Sequence, residues 1–165
     1  MHLFTATSEQ LGIIRSIALK TWPVAYKEIL STAQLEYMLD LFYSIASLEE
    51  QLQQGHRFRI CNDSSVHVGF SSVSVKENSP TVLRLNKLYV LPDVQGRGAG
   101  KFLLDDVKNY AAGQGFESVE LNVNRNNIAR NFYEKEGFII SEEVDISIGQ
   151  GYFMNDYTMT WKVSS

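Results

Sequence analysis

The chain has 165 residues, 44% of them hydrophobic, which predicts a single globular domain over residues 1–165 with its own core. A formal charge of −4 argues against broad affinity for nucleic acid or an anionic membrane, since both are densely negative. The single cysteine, Cys61, excludes an internal disulfide and favours a reducing, cytoplasmic location. The sequence shows no secretory signal pattern and no apolar run of about eighteen residues that could span a bilayer.

The N-terminal third is predicted to contain one strand followed by two or three helices. Residues 2–7 alternate as a strand does. A helix with apolar residues at helical spacing follows, and Trp22-Pro23 is predicted to interrupt it because proline lacks the backbone N–H. Capping patterns that begin at Ser31 and at Ser47 predict two further helices.

The middle of the chain changes from helical spacing to β-type sequence. Three strands are predicted, joined by turns rich in Asn, Ser and Pro, over residues 56–61, 66–75 and 81–91. The strand pattern is strongest in the third of these segments, which leads directly into a glycine-rich loop.

That loop, Gln-Gly-Arg-Gly-Ala-Gly at residues 95–100, joins the third strand to a predicted helix. Its glycines let the backbone lie close to a ligand, and the first N–H groups of the helix are unpaired and carry roughly half a positive charge. The loop therefore predicts a phosphate or pyrophosphate site, to which Arg97 adds a charged contact. The spacing fits neither the dinucleotide fingerprint nor the P-loop, so a tight connection that only packs a helix on a sheet is the alternative.

Beyond the loop the pattern alternates between helices and strands. It predicts a helix, a strand, a second helix and two strands, over residues 98–112, 119–123, 127–136, 138–144 and 156–163. The first of these helices is predicted to bury Phe102, Leu103, Val107 and Tyr110. The order of elements predicts an α+β fold, or an α/β fold with a mixed sheet.

Three local patterns resemble the GNAT superfamily of acyl-CoA N-acetyltransferases. The loop matches Gln/Arg-x-x-Gly-x-Gly/Ala at Gln95, Gly98 and Gly100, and the strand before it carries Leu-Tyr-Val at residues 88–90. Residues 126–138 match Asn-x-x-Ala-x-x-x-Tyr-x-x-x-Gly-Phe. The resemblance implies that family's fold, a central and mostly antiparallel sheet with its fourth and fifth strands splayed and helices on both faces.

The N-terminal part is also similar to the bacterial spermidine/spermine N-acetyltransferase group. The similar segments are an aromatic stretch at residues 21–28, the capped helix start at 31–34 and residues 152–156. This similarity marks a subfamily better than a substrate, and the expected acceptor is a small amine or a polyamine.

The GNAT resemblance also implies that acetyl-CoA is the co-substrate. The residues implied for a main-chain cradle around its pyrophosphate are Gly96, Arg97, Gly98, Ala99, Gly100 and Lys101, with Gln95 beside them. Leu88, Tyr89 and Val90 would present a strand edge to pantetheine. Asn126 would either cap the following helix or also contact the cofactor.

By the same resemblance, Tyr133 is the catalytic residue that donates a hydrogen bond to the departing thiolate. Many family members carry a glutamate near the end of the strand before the loop, where this chain has Asn86, which cannot act as a base. The proton acceptor is therefore left open between Glu120 and a water held by Asn86 and Asn122.

The acceptor is expected to meet the first helices and the last hairpin. The candidates for binding it are Trp22, Tyr26, Tyr152 and Asp156, since aromatic faces and a carboxylate can hold a cation. Aromatic residues at helical spacing that only pack the core are the alternative. Metal binding is not expected, because the predicted strands that carry His56 and His67 show no carboxylate pattern.

These patterns predict direct attack of a primary amine on the thioester. Within the same class, the alternative acceptor is a protein lysine or a peptide N-terminus. A non-catalytic CoA-binding sensor or interaction module is an alternative from another class, which Asn86 favours and Tyr133 opposes. The expected binding partner is a small-molecule amine, and binding to nucleic acid or to a membrane is not expected. Because homodimers are common in this family, the resemblance also allows a homodimer.

Overall fold

The computed structural model describes residues 1–164. Its strands are β1 (His2–Thr5), β2 (Arg57–Asp63), β3 (Val66–Lys76), β4 (Ser79–Val90), β5 (Ser118–Asn124), β6 (Ile139–Gly149) and β7 (Tyr152–Lys162). Its helices are α1 (Leu11–Ala25), α2 (Thr32–Tyr43), α3 (Ile45–Gln53), α4 (Ala99–Gly113) and α5 (Ala129–Lys135).

Within residues 1–164 the seven strands form one mixed sheet in the order β1-β2-β3-β4-β5-β7-β6. Every neighbouring pair is antiparallel except β4 and β5, which are parallel. The α4 helix forms the crossover between these two parallel strands, as a parallel connection requires. The predicted α+β class is confirmed.

Two sets of helices cover the sheet on opposite faces. Aromatic and aliphatic side chains of α1, α2 and α3 pack with Phe58, Phe70 and Tyr89. The α4 helix packs against Leu88 and Val90, which alternate with Tyr89 along β4 and therefore point to the other face.

The parallel pairing of β4 and β5 is short. It runs from Val82 with Ser118 to Leu85 with Leu121, whereas β4 continues to pair with β3 as far as Val90. The two parallel strands therefore separate beyond Leu85 and leave one edge of β4 open, as the predicted splay requires.

A β-bulge lies where the separation begins. On β3, Ser72 pairs with Lys87 and the next residue, Val73, pairs with Leu85, so Asn86 is the extra residue on β4. Leu85 packs on the α4 side, but the bulge reverses the alternation, and Lys87 turns to the side of α1, α2 and α3.

The predicted interruption of the first helix at Trp22-Pro23 is wrong, because α1 continues through both residues. Pro23 lies in the last turn, where its missing N–H removes only the bond to the Leu19 carbonyl. Leu19 is exposed, so water can satisfy that carbonyl.

The predicted cap of the third helix is also wrong. Ser44 caps α3, and its Oγ accepts a hydrogen bond from the Ser47 N–H at 3.2 Å. Ser47 lies inside the first turn and donates its hydroxyl to the Leu41 carbonyl at 2.8 Å. Since Ser44 alone separates α2 from α3, its extended backbone ends one helix and begins the next.

The buried face of α4 differs from the predicted one. Leu103, Leu104 and Val107 are buried, but Phe102 is 37% exposed and Tyr110 is only partly buried. At 3.6 residues per turn, Leu104 and Val107 define the face toward the sheet and Phe102 lies at its edge.

The β6 and β7 strands form a longer hairpin than predicted, with its turn at Gly149–Gly151. None of the helices described within residues 1–164 has the length and apolar content that crossing a bilayer requires.

Candidate active site

The loop before α4 adopts a conformation that suits glycine. Gly96 and Gly98 have φ angles of +87° and +86°, in the left-handed region that side chains with a β-carbon disfavour. Open space lies beside Gly98, where a β-carbon would meet nothing within 4 Å. Gly98 is also the N-cap residue of α4.

Main-chain donors without intrahelical partners lie at the start of α4, next to Gly98. The first helical bond runs from the Phe102 N–H to the Gly98 carbonyl at 2.9 Å. The N–H groups of Ala99, Gly100 and Lys101 precede that bond and, within residues 1–164, receive no capping side chain. Unpaired N–H groups at the start of a helix are donors of the kind that bind a diphosphate, and residues 96–101, here called the cradle, contain them.

The side chains around the cradle have different orientations. The Gln95 amide donates to the Val90 carbonyl at 3.3 Å, which joins the loop to the end of β4. The Lys101 ammonium pairs with Asp105 at 3.2 Å and with Glu136 at 3.4 Å, so it lies along the helix. Arg97 is exposed.

The open edge of β4 can pair with an extended ligand. The Leu91 N–H donates to the Val68 carbonyl on β3 at 2.8 Å. By alternation, the N–H and C=O groups of Leu88 and Val90 point away from β3, toward the gap between β4 and β5. Tyr89 directs its side chain to the α1 side.

A cavity of about 370 Å³ lies beside this gap. It is lined by residues of α1, α2, α3, β4, β5 and β7, and by segments between them. They include Trp22, Tyr26, Met38, Phe42, Tyr43, Gln51, His56, Arg84, Asn86, Lys87, Tyr89, Asn122, Asn124, Phe153 and Asp156. Elements far apart in the chain therefore meet at one place.

Asp156 is the acidic residue of the cavity wall. It lies on β7 opposite Asn124 of β5 and is 6% exposed. Burial raises the pKa of its carboxyl to about 6, and the opposing effect of Arg125 and Arg84 is smaller. A carboxylate with this pKa is ionised at neutral pH and is a better proton acceptor than an ordinary aspartate.

Lys87 was not predicted as a site residue, and it lines the same cavity. Its ammonium donates to Gln51 Oε1 at 2.6 Å and lies 5.5 Å from the Tyr43 ring and 6.0 Å from the Phe58 ring. Burial lowers the pKa of Lys87 to about 8. A charged residue inside an apolar strand was the available sequence signal, but its direction depends on the bulge at Asn86.

Two of the four predicted acceptor residues form an aromatic wall. Trp22 and Tyr26 have ring centroids 4.7 Å apart, and the Tyr26 and Tyr89 hydroxyls are 2.9 Å apart. Burial, the largest effect in each case, raises the pKa of both tyrosines. Tyr152 does not line the cavity and packs against Tyr37, with ring centroids 5.4 Å apart.

Tyr133 lies on α5 and is 8% exposed, packed against Phe132 and Phe138. Burial first, and nearby Tyr26 second, raise its pKa above the ordinary phenol value. The Tyr133 hydroxyl therefore keeps its proton and is suited to donate a hydrogen bond.

Asn126 is not the cap of α5, which corrects that structural interpretation. The N-cap residue of α5 is Ile128, which makes no side-chain capping bond, and Asn127 Oδ1 accepts from the Ala129 N–H at 2.9 Å in the turn before it. The Asn126 N–H itself donates to Asn124 Oδ1 at 2.9 Å, and Asn126 is exposed.

The two earlier candidates for proton acceptor occupy different surroundings. Glu120 binds Lys76 at 2.9 Å and Arg84 at 2.7 Å and does not line the cavity. Asn86 and Asn122 do line it. The Asn86 amide donates to Ser74 Oγ at 2.9 Å, and Asn122 Oδ1 accepts from the Thr158 hydroxyl at 2.9 Å.

The sequence matches the Acetyltransferase (GNAT) domain family over residues 26–152, more than half of the chain. The chain belongs to the GNAT acetyltransferase family. An uncharacterized N-acetyltransferase of Mycobacterium tuberculosis (strain ATCC 25618 / H37Rv) is 29% identical over 147 residues, which cover 88% of this chain and 93% of that protein. The expected enzyme class, N-acetyltransferase, is confirmed.

Solved structures show the same GNAT fold. The PaiA N-acetyltransferase of Thermoplasma acidophilum, crystallised with coenzyme A, superposes with a TM-score of 0.81 at 23% identity, over 98% of this chain and 99% of that one. A ribosomal-protein-alanine N-acetyltransferase of Brucella melitensis superposes with a TM-score of 0.68 at 18% identity, over 98% and 99% of the two chains. The expected fold is confirmed, and at these identities the likeness concerns the fold alone.

Proposed function

We propose that this GNAT enzyme transfers the acetyl group of acetyl-CoA to a small primary amine by direct attack on the thioester. The observation that carries the proposal is the cavity of about 370 Å³ beside the gap between β4 and β5, with the buried carboxylate of Asp156 in its wall. Buried Cys61 fits a reducing compartment, so we include a cytoplasmic location in the proposal.

The proposed position of acetyl-CoA follows from the free main-chain groups. The cradle would hold the pyrophosphate through the unpaired N–H groups at the start of α4, with Arg97 free to add a charged contact. The open edge formed by Leu88 and Val90 would pair with pantetheine as an added strand does. The Thermoplasma structure was solved with coenzyme A, which supports this assignment.

The proposed reaction forms one bond and breaks another. The amine lone pair attacks the thioester carbonyl carbon, the C–S bond breaks, and the electrons of that bond leave on the sulfur. Asp156 accepts the proton from nitrogen as the new C–N bond forms, when that N–H becomes far more acidic than in the free ammonium. Tyr133 donates a hydrogen bond to the thiolate and keeps its own proton, because burial raises its pKa.

Contacts between the β6–β7 hairpin and α2, beside the cavity, favour a small acceptor. The Gln34 amide of α2 donates to the Phe153 carbonyl at 3.1 Å, and the Tyr37 hydroxyl donates to the Ile148 carbonyl at 2.6 Å. These bonds hold the β6–β7 hairpin against α2, so an extended peptide would have to displace the hairpin. A polyamine, as in the spermidine/spermine-like group, is one small acceptor within this proposal.

The test is calorimetry with acetyl-CoA followed by thiol release across a panel of amines, polyamines and peptides. We expect acetyl-CoA to bind and small amines to be acetylated at least about tenfold more efficiently than peptides, because the hairpin held against α2 obstructs an extended chain. Preference for a peptide N-terminus would support the alternative acceptor, as in the Brucella protein. Tight binding with no turnover on any amine would contradict the proposed activity.

A further inference from the structure

We propose that the acceptor carries a carboxylate as well as an amine, and that Lys87 binds this carboxylate inside the cavity. The proposal rests on the proposed function in one respect, because it takes the cavity as the acceptor site. It assigns a substrate class, an amino acid or a similar aminocarboxylate, and a residue that selects it.

The orientation of Lys87 is set by its surroundings. Gln51 donates its amide N–H groups to the Phe42 carbonyl at 2.9 Å and to Ser47 Oγ at 3.0 Å, which leaves Gln51 Oε1 to accept from Lys87. The ammonium has three donors, and this bond uses one of them. The aromatic faces of Tyr43 and Phe58 lie beside the ammonium, and the cavity supplies the remaining space.

Lys87 has no anionic partner within residues 1–164, although it is only partly exposed. The other cation in the cavity wall, Arg84, pairs with Glu120 at 2.7 Å. A buried charge without a counter-charge is costly, so an anion that enters the cavity gains more from Lys87 than it would from a solvated lysine.

The same wall has donors without acceptors. The indole N–H of Trp22 and the hydroxyl of Tyr43 are buried and, among the described residues 1–164, have no hydrogen-bond partner. Both residues line the cavity near Lys87, with the Trp22 and Tyr43 ring centroids 5.5 Å apart. An anion bound at Lys87 would lie on the side of the cavity that carries these two donors, and a carboxylate is an acceptor at both of its oxygens.

The opposite charge lies elsewhere in the cavity. Asp156 belongs to β7, and the cations that act on its carboxyl are Arg125 and Arg84, not Lys87. One cavity thus presents a carboxylate at one place and an unpaired ammonium at another. A molecule with an ammonium and a carboxylate complements both, whereas a polyamine would place a cation beside Lys87.

A carboxylate matches the single positive charge of Lys87 better than a phosphate does. A single ammonium balances one negative charge, whereas a phosphate monoester carries about −1.5 to −2 at neutral pH. Lys87 would therefore leave part of the charge of a phosphate uncompensated in a largely buried site.

The test compares aminocarboxylates with their own carboxamides. Acetylation of α-amino acids and of linear ω-amino acids is measured against the matched amides, against spermidine and against aminoethyl phosphate. We expect the best aminocarboxylate to exceed its amide at least about tenfold in kcat/KM, as a charge-assisted hydrogen bond provides. Equal rates for acid and amide, or a preference for spermidine or for aminoethyl phosphate, would overturn the proposal.

Variants of Lys87 test the assignment of the residue. Lys87→Met keeps the approximate length of the side chain without its charge and should bring the ratio of acid to amide close to one. Lys87→Arg should retain the preference. The matched control is Lys20→Met, which removes an exposed lysine of α1 and should leave the ratio as it is in the wild type. A ratio that persists in Lys87→Met would assign the selectivity to another residue.

A binding experiment separates this proposal from the proposed function. Butyrate, which has no amine, should raise the Tm of the wild-type protein at millimolar concentration, and butyramide should not. The shift should be absent in Lys87→Met. If no amine is acetylated but this shift depends on Lys87, the anion site stands and the proposed activity fails. If amines are acetylated and butyrate has no effect, the anion site fails and the activity stands.

Discussion

The cradle at the start of α4 and the cavity beside β4 differ in the atoms that form them. The cradle consists of main-chain N–H groups from one continuous segment, residues 96–101. Among its side chains, exposed Arg97 is the one proposed to contact the pyrophosphate. The cavity consists of side chains from α1, α2, α3 and three strands, which no single segment contains. In the proposed function, the cofactor site is therefore a local motif of the sequence, whereas the acceptor site depends on how distant elements pack.

The largest expected effect comes from filling the cradle. Gly98→Leu would place a side chain in the open space beside the unpaired N–H groups and should weaken acetyl-CoA binding at least about 100-fold, through the loss of two charge-assisted bonds. Isothermal titration calorimetry measures this. Gly115→Leu is the matched control, because Gly115 also has a positive φ, +80°, with open space around it, but ends α4 far from the cradle. Similar weakening in both variants would show that backbone strain, not the site, is responsible.

Removal of the proposed base should have the next largest effect, and it acts on the cavity alone. Asp156→Asn should lower kcat/KM about 100-fold and leave the Kd of acetyl-CoA unchanged, because the amide cannot accept the proton. In the wild type, kcat/KM should rise with pH through about 6 as the Asp156 carboxyl ionises among Tyr26, Arg84 and Arg125. This rise of kcat/KM with pH should disappear in Asp156→Asn. The control Asp40→Asn, which changes an exposed residue of α2, should keep the rise. If Asp156→Asn kept the rise of kcat/KM through pH 6, the ionisation would belong to another group.

A smaller effect is expected at Tyr133 of α5, outside both regions. Tyr133→Phe removes the hydrogen bond to the leaving thiolate and should lower kcat about tenfold, with the Kd of acetyl-CoA within about twofold of the wild-type value. Steady-state kinetics and calorimetry on the same preparation separate the two quantities. Tyr110→Phe, a change of the same size on α4, should leave both unchanged. An unchanged kcat for Tyr133→Phe would remove this tyrosine from the mechanism.

The smallest expected effect concerns stability. The pKa of Asp156 is about 6 in the folded protein, above its ordinary value of 3.8, so ionisation disfavours the folded state. This cost is absent below about pH 4 and complete above about pH 6. Asp156→Asn should therefore be more stable than the wild type at pH 8 by about 1 to 2 kcal/mol, after allowance for water in the cavity, and equally stable at pH 4. Urea unfolding at the two pH values tests this, and a gain that is the same at both would exclude ionisation as its cause.

Much of the fold could be read from the sequence because it depends on local periodicity. The alternation in β2, β3 and β4 and the helical spacing in α4 predicted these elements to within a few residues. Boundaries were less predictable where two elements share one residue. Ser44 ends α2 and begins α3, and no local pattern distinguishes it from Ser47 as the cap.

By itself, the sequence determined the family and the local geometry of the cradle, since glycine positions, helix start and loop length lie within a few consecutive residues. The tertiary structure decided the cavity. The bulge at Asn86 reverses the alternation of β4 and turns Lys87 inward, and the pairing of β7 with β5 brings Asp156 to the same space. A strand pattern predicts which residues share a face only while its register is unbroken, and the burial that shifts the pKa values of Lys87 and Asp156 arises from elements distant in the chain.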